Sequence, residues 1–268
     1  ALGRHDDVDM VSFTGSTEVG RYFLHYSAQS NLKEIVLECG GKSPQIVFED
    51  ADLDAAVPSI LAAAFWNMSE NCSCGSRLIV HASIKDALLA RLKAGLADWK
   101  VGDPRDATVA IGPLIEQAHF DKVKAYLEKT LAQGGTLAAG GSIYQDQGSG
   151  WYIEPTIFDN ITPEMPLFQE EVFGPLLAVT SFSTDQQAIE LANNSSYGLA
   201  ASFYTRSLNR AHHMARAIKA GTVSVNGFSE GSIATPFGGY KQSGFGGRDK
   251  GVEALDQYLQ TKTIWYVN

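Results

Sequence analysis

Short runs of continuous or alternating apolar residues at 8–14, 34–37, 45–48, 77–81, 176–182, 200–204 and 222–225 have the length and β-branched content of strands. Between several of them the apolar spacing widens from every second residue to every third or fourth. Residues 83–99 place Ile84, Leu88, Leu89, Leu92 and Leu96 on one helical face, and 116–131, 184–192 and 207–220 follow the same spacing. Asp, Ser or Thr stands at several helix starts, where a short side-chain oxygen can accept from an unpaired backbone N–H. Strands alternating with amphipathic helices predict an α/β architecture. Two stretches break the alternation. Residues 140–151, rich in glycine and polar side chains, look like a surface loop. Residues 229–248, crowded with glycine around Pro236, suggest backbone threading close to a ligand entrance or another subunit. A short helix over 252–259 and a last strand-like run over 262–267 follow. That run has too few residues after it for a hairpin, so it needs a sheet edge on a neighbouring subunit or on its own domain.

Composition narrows the function classes. With 268 residues, 44% of them hydrophobic, the chain is expected to be soluble and globular, with a sizeable core and one large domain or two smaller ones. A net charge of -9 supplies no field to attract nucleic-acid phosphates or anionic lipid, so neither partner is expected. The longest nearly apolar stretch, 55–66, is interrupted by Pro58 and Ser59 and falls short of the ~20 residues that span a bilayer. The first residues lack the basic and apolar regions of a signal peptide and look like the interior of a longer protein. Three cysteines are too few for a disulfide framework, and no histidine set stands at metal-ligand spacing; a reducing, cytoplasmic compartment fits.

Five strings can carry chemistry. Residues 13–20 (Phe-Thr-Gly-Ser-Thr-Glu-Val-Gly) join a strand to a helix, where backbone N–H groups and a helix N-terminus make an anion site; a plain N-capped helix after a tight turn gives the same string. Glu38 precedes Cys39, Gly40, Gly41 and Lys42 at a strand end, placing a carboxylate at a crevice edge as a base or merely in solvent. Residues 67–77 set Cys72 and Cys74 in a polar connection between an apolar helix and an apolar strand, a better place for an activated thiol than Cys39 on its strand. Residues 170–175 bring Glu170, Glu171 and Phe173 before a Gly-Pro break, which an ordinary acidic loop would also do. Residues 227–231 match the G-x-S-x-G elbow of serine hydrolases around Ser229, but the glycine-rich sequence after it predicts no helix to expose the serine.

Together with 236–244, and in this order and spacing, the strings at 13–20, 38–44, 67–77 and 170–175 resemble the aldehyde dehydrogenase superfamily over essentially the whole chain. The resemblance implies an aldehyde dehydrogenase-like catalytic domain at 40–252, the tail of a Rossmann-like cofactor domain at 1–39, and a C-terminal oligomerisation arm at 253–268. It implies Cys72 as nucleophile, Glu38 as the base for deacylation, Glu171 as ligand of the nicotinamide ribose, Phe173 as a wall beside the nicotinamide, and Gly15 and Ser16 near the pyrophosphate of NAD or NADP. Cys74 is expected to be a buried, inert thiol. The implied substrate is a small aldehyde, with 248–265 resembling enzymes of ω-amino and γ-glutamylamino aldehydes, and the implied assembly is a homo-oligomer, dimer or tetramer. The adenosine-binding residues and an asparagine oxyanion donor fall outside the chain, so the fragment alone is expected to be inactive; the alternative is a truncated chain acting only through binding or oligomerisation. Ser69 and Glu70 depart from the family's usual glycine and glutamine, and Cys39 from its usual larger apolar residue. Glu70, two residues before the nucleophile, would raise the thiol pKa if it points inward.

Overall fold

The computed structural model describes residues 1–144 and 150–268. Strand β1 (Met10–Thr14) leads into helix α1 (Thr17–Ala28), which Ser16 caps by accepting from Val19 N–H, and returns as β2 (Glu34–Glu38), parallel to β1. The chain then turns through Gly40 and Gly41 into a second sheet. There β3 (Pro44–Val47), helix α2 (Leu53–Phe65), β4 (Arg77–His81) and helix α3 (Lys85–Gly95) form consecutive β-α units with parallel strands. Helix α4 (Gln117–Ala132), β5 (Thr136–Ala139), the antiparallel pair β6 (Ile143–Tyr144) and β7 (Tyr152–Ile153), and β8 (Thr156–Asp159) follow. After the short helix α5 (Pro166–Gln169) come β9 (Leu176–Phe182), α6 (Asp185–Asn193), β10 (Ala200–Tyr204), α7 (Leu208–Ala217) and β11 (Thr222–Val225).

The large sheet has the order β11-β10-β3-β4-β9-β8-β5, parallel throughout except for β5. Its strands are apolar on both faces because helices cover both. Ile46, Ile79, Ala178 and Phe203 join one core with Phe120 and Val123 of α4 and Met214 of α7, whereas their neighbours Val47, Leu78, Val80 and Val179 join the other with Ile60 and Leu61 of α2 and Leu88 and Leu92 of α3. The period-two alternation thus sorts residues between two cores rather than between core and water.

A second, three-stranded sheet has the order β1-β2-β12, where β12 (Gly244–Phe245) comes from the glycine-rich segment and pairs antiparallel with β2. Among the described residues its core cluster holds Ile35, Leu37 and Cys39 as buried residues. At about 1.5–3 kcal/mol per buried apolar side chain, this sheet contributes far less than the large one. β2 lies between β1 and the two-residue β12, which form the sheet's edges among the described residues.

The seven strands expected between residues 8 and 225 are present, with ends shifted by up to two residues. The expected strand at 262–267 is not: residues 260–268 form no pairing, and Ile264, Trp265, Tyr266 and Val267 are exposed. An extended run with no free edge beside it has no acceptor for its backbone, so the strand pattern alone does not produce a strand. Helix α8 (Glu253–Asp256) is a single turn, shorter than the expected 252–259. Within the expected loop at 140–151, Ile143 and Tyr144 pair with β7, and residues 145–149 lie outside the described residues.

Candidate active site

Helix α2 leads into a thiol-bearing turn before β4. Asp52 accepts from Asp54 and Ala55 N–H at its start, and seven of its thirteen residues are buried between the sheet and α3. It ends abruptly at Trp66. Asn67, Met68 and Ser69 then take left-handed φ of 51°, 55° and 62°, a run that L residues rarely adopt. Two bonds to Ala64 O, from Ser69 Oγ and from Cys74 Sγ at 3.3 Å, hold that turn down. Cys74 is therefore buried under α2, and burial pushes its thiol up to about 12. Cys39 is likewise buried, on the small sheet.

Cys72 stands between these anchors, half-buried, with its Sγ 3.8 Å from Asn71 Oδ1. Its backbone N–H has no acceptor among the described residues, whereas the N–H groups of Ser73 and Cys74 both bond to Asn71. Burial pushes its thiol up to about 11, and the carboxylates of Glu230, Glu171 and Glu38 add to that rise.

Two glycines bring the other candidates to the same crevice. A Cβ on Gly41 would lie 2.4 Å from Cys72 O, and one on Gly40 would lie 2.0 Å from Glu171 Oε2. Without those atoms the 38–42 turn packs directly against both the thiol turn and the 170–175 connection. Glu171 Oε1 accepts from Gly41 N–H at 2.9 Å, and burial raises its pKa. Its neighbour Glu170 accepts from Tyr126 on α4, so only Glu171 faces the crevice. Phe173, with φ 61°, presents a partly exposed ring, and its carbonyl accepts from His119 Nε2 at 2.6 Å. Buried Arg77 fixes the base of the site, donating to Lys42 O, Leu191 O and Ala192 O.

Glu38 ends β2 at 6% exposure, and neither carboxylate oxygen has a hydrogen-bond partner among the described residues. Burial and the nearby Asp249 push its pKa up to about 7 against the opposing pull of Arg248. Gly238 packs on it: a Cβ there would come within 2.7 Å of Glu38 Oε1. The glycine-rich segment thus threads against the base candidate, and Arg248 and Asp249, held by the Phe237–Asp249 bridge, come with it. Gly15 N–H donates to Glu38 O, which sets the 13–20 turn beside the same strand end. With Ser16 occupied by Val19 N–H, the Thr17 and Glu18 N–H groups at the start of α1 have no protein acceptor among the described residues.

Cys72, Glu38, Glu171 and Phe173 therefore converge, with Gly15 and Ser16 on the β1–α1 turn behind Glu38. Glu70 does not point at the thiol. It accepts from Ile115 N–H at 3.2 Å and lies 3.5 Å from His119 Nε2, so it faces α4. Sequence reasoning missed Glu230, which accepts a short hydrogen bond from Ser73 Oγ. The G-x-S-x-G string pointed at this loop for the wrong residue: exposed Ser229 bonds Ser224 and Gly231, and no helix follows it. Arg248 and Asp249 had no signal beyond their place in the C-terminal segment.

The chain is thus an α/β protein in which a half-buried thiol on the turn before one parallel strand and a buried carboxylate at the end of another share a crevice. The family model described as the aldehyde dehydrogenase family matches residues 1–264, and the chain belongs to that family. It is 55% identical to an aminoacetaldehyde dehydrogenase of Pseudomonas aeruginosa, over 98% of this chain and 53% of that protein. To the NADP/NAD-dependent aldehyde dehydrogenase PuuC of Escherichia coli it is 44% identical, over 99% of this chain and 53% of that one. Among solved structures, an indole-3-acetaldehyde dehydrogenase complexed with NAD+ superposes with a TM-score of 0.96 at 45% identity, covering 99% of this chain and 54% of the other. The chain thus spans about half the length of these relatives. No helix among the described residues is long and apolar enough to cross a membrane.

Proposed function

We propose that these residues carry the nucleophile, the base and part of the cofactor site of an NAD(P)-dependent aldehyde dehydrogenase that releases a free carboxylic acid. The observation that carries the reading is Glu38: a buried carboxylate with both oxygens unpartnered and a pKa near 7, in one crevice with a thiol. Such a group costs stability and is suited to take a proton from water near neutral pH.

The residues present fit a dinucleotide. The free N–H groups of Thr17 and Glu18 begin a twelve-residue helix, where a phosphate is favoured, and Glu171 is held in the crevice by a single backbone bond, with its other oxygen free to accept from a ribose hydroxyl. When bound, the cofactor supplies the hydride acceptor. Cys72 gives its thiol proton to water as Sγ adds to the aldehyde carbon, and the carbonyl electron pair moves onto oxygen, where the unpaired Cys72 N–H donates to it. Departure of the aldehyde hydrogen as hydride leaves a thioester. Glu38 then accepts a proton from water as the water oxygen attacks the acyl carbon, and the C–S bond breaks to return Cys72. Phe173 walls the cofactor side.

The relatives' lengths support a longer enzyme, in which an N-terminal cofactor-binding portion accompanies these 268 residues and the division falls near 39/40, where the chain passes between sheets. The exposed apolar run at 262–267 supports a homo-oligomer, with that run as part of the interface. The name of the Pseudomonas relative supports an amino-bearing aldehyde as substrate. The reading is tested in the native-length protein: Cys72→Ser should abolish aldehyde-dependent NAD(P)H formation, and a variant that keeps it would overturn the assignment.

A further inference from the structure

Resting on that reading, we infer that Glu230 is the substrate-selecting residue of the site and that it binds the ammonium group of a short ω-amino aldehyde whose carbonyl lies at Cys72. Glu230 sits on the loop between β11 and β12, half-buried, and its Oε1 accepts from the hydroxyl of Ser73, the residue next to the nucleophile. That bond fixes one oxygen and leaves Oε2 without a protein donor among the described residues. No Lys, Arg or His among the described residues forms an ion pair with it, unlike the partly buried Asp50, Asp159 and Asp185, each of which has one.

The placement is costly for the chemistry that the site performs. A negative charge beside a thiol opposes formation of thiolate, and of the charged groups around Cys72, Glu230 has the largest effect in that direction. Glu171 and Glu38 act the same way, so the crevice holds three carboxylates against the nucleophile. Glu38 and Glu171 have roles in the proposed reaction that require a carboxylate; Glu230 has none. A substrate that brings its own positive charge removes the penalty as it binds. An ammonium group at Glu230 would form a charge-assisted hydrogen bond with the free oxygen, and would offset the field that holds Cys72 protonated. A neutral aldehyde of the same shape gains neither. Glu230 bonds the residue adjoining Cys72 and is close enough to act on its thiol, so a substrate that reaches both is expected to be short.

The test compares 3-aminopropanal with butanal, in which a methyl group stands in for the ammonium, as substrates of the native-length protein and of its Glu230→Gln, Glu230→Asp and Glu230→Lys variants. The wild-type protein is expected to prefer 3-aminopropanal in kcat/KM. Glu230→Gln should cut the ratio of the two kcat/KM values by roughly 10- to 100-fold, mainly through KM for the amino aldehyde, while butanal oxidation rises as the field on Cys72 relaxes. Glu230→Asp should keep much of the preference, and Glu230→Lys should reverse it in favour of succinic semialdehyde, whose carboxylate matches the new charge. Equal losses on both aldehydes, or a ratio that Glu230→Gln leaves within twofold, would overturn the inference while leaving the aldehyde dehydrogenase reading intact. Wild-type protein that oxidises butanal but shows no preference for the amine would do the same. Failure of wild-type protein to oxidise any of the three aldehydes would instead remove the reading on which the inference rests.

Discussion

Replacing Glu38 by glutamine should move stability and turnover in opposite directions. The carboxyl is buried without a partner and its pKa is pushed up to about 7 from an ordinary 4.5. Between those two values the folded protein keeps a proton that the unfolded chain has lost, so stability falls as pH rises from 4.5 to 7 and the full cost is present above 7. At about 1.4 kcal/mol per tenfold change, the gap corresponds to roughly 3 kcal/mol above pH 7 and under about 1 kcal/mol at pH 5. Glutamine has the same shape and cannot ionise. Urea unfolding of the native-length protein should therefore show Glu38→Gln more stable than wild type by about 2–3 kcal/mol at pH 8.5, with little difference at pH 5. In the same variant, mixing with aldehyde and cofactor should give a rapid burst of about one equivalent of NAD(P)H followed by slow turnover, because hydride departure precedes the hydrolysis that this carboxylate serves. A stability difference that does not change with pH, or a variant less stable at pH 8.5, would refute the burial argument. Loss of the burst would move Glu38 to an earlier step.

The remaining expectations concern the thiol turn and its surroundings. Cys74→Ser should keep most of the activity that Cys72→Ser abolishes, because Cys74 is buried against Ala64 O; comparable losses in NAD(P)H formation would sink the distinction. Glu70→Gln should leave the pH profile of Cys72 alkylation unchanged, because Glu70 faces Ile115 and His119, and a shift to lower pH would contradict that placement. Gly41→Ala puts a methyl group 2.4 Å from Cys72 O, so overpacking of about 1–3 kcal/mol and a displaced thiol turn are expected, seen as a lower urea midpoint together with an altered alkylation rate. The 268 residues expressed alone should give no aldehyde-dependent NAD(P)H, since they span 53% of the length of the Pseudomonas relative; steady turnover would show that the remaining portion is dispensable.

Local pattern was enough for the elements whose signal is carried by their own residues. The strands at 77–81, 176–182 and 200–204 are legible because apolar residues predominate in them and helices lie on both faces, and α3 and α4 because their apolar stripes have helical spacing. The strings around Glu38, Cys72 and Glu171 are legible as candidates because glycine and polar residues interrupt apolar runs at strand ends. What each side chain faces is another matter, because it depends on residues brought together from far along the chain. Glu70 and Glu230 are both carboxylates near the nucleophile in space; the one two residues away turns to α4, and the one in the 226–236 loop bonds Ser73. The weak strands β5 and β8 escaped the pattern because their pairing, not their composition, makes them strands. The run at 262–267 has the composition but no partner, and remains unpaired. The same holds for Glu38: its sequence neighbours set it at a strand end, but its raised pKa comes from burial beneath Gly238 and from Asp249, more than two hundred residues away, which only tertiary packing could bring to it.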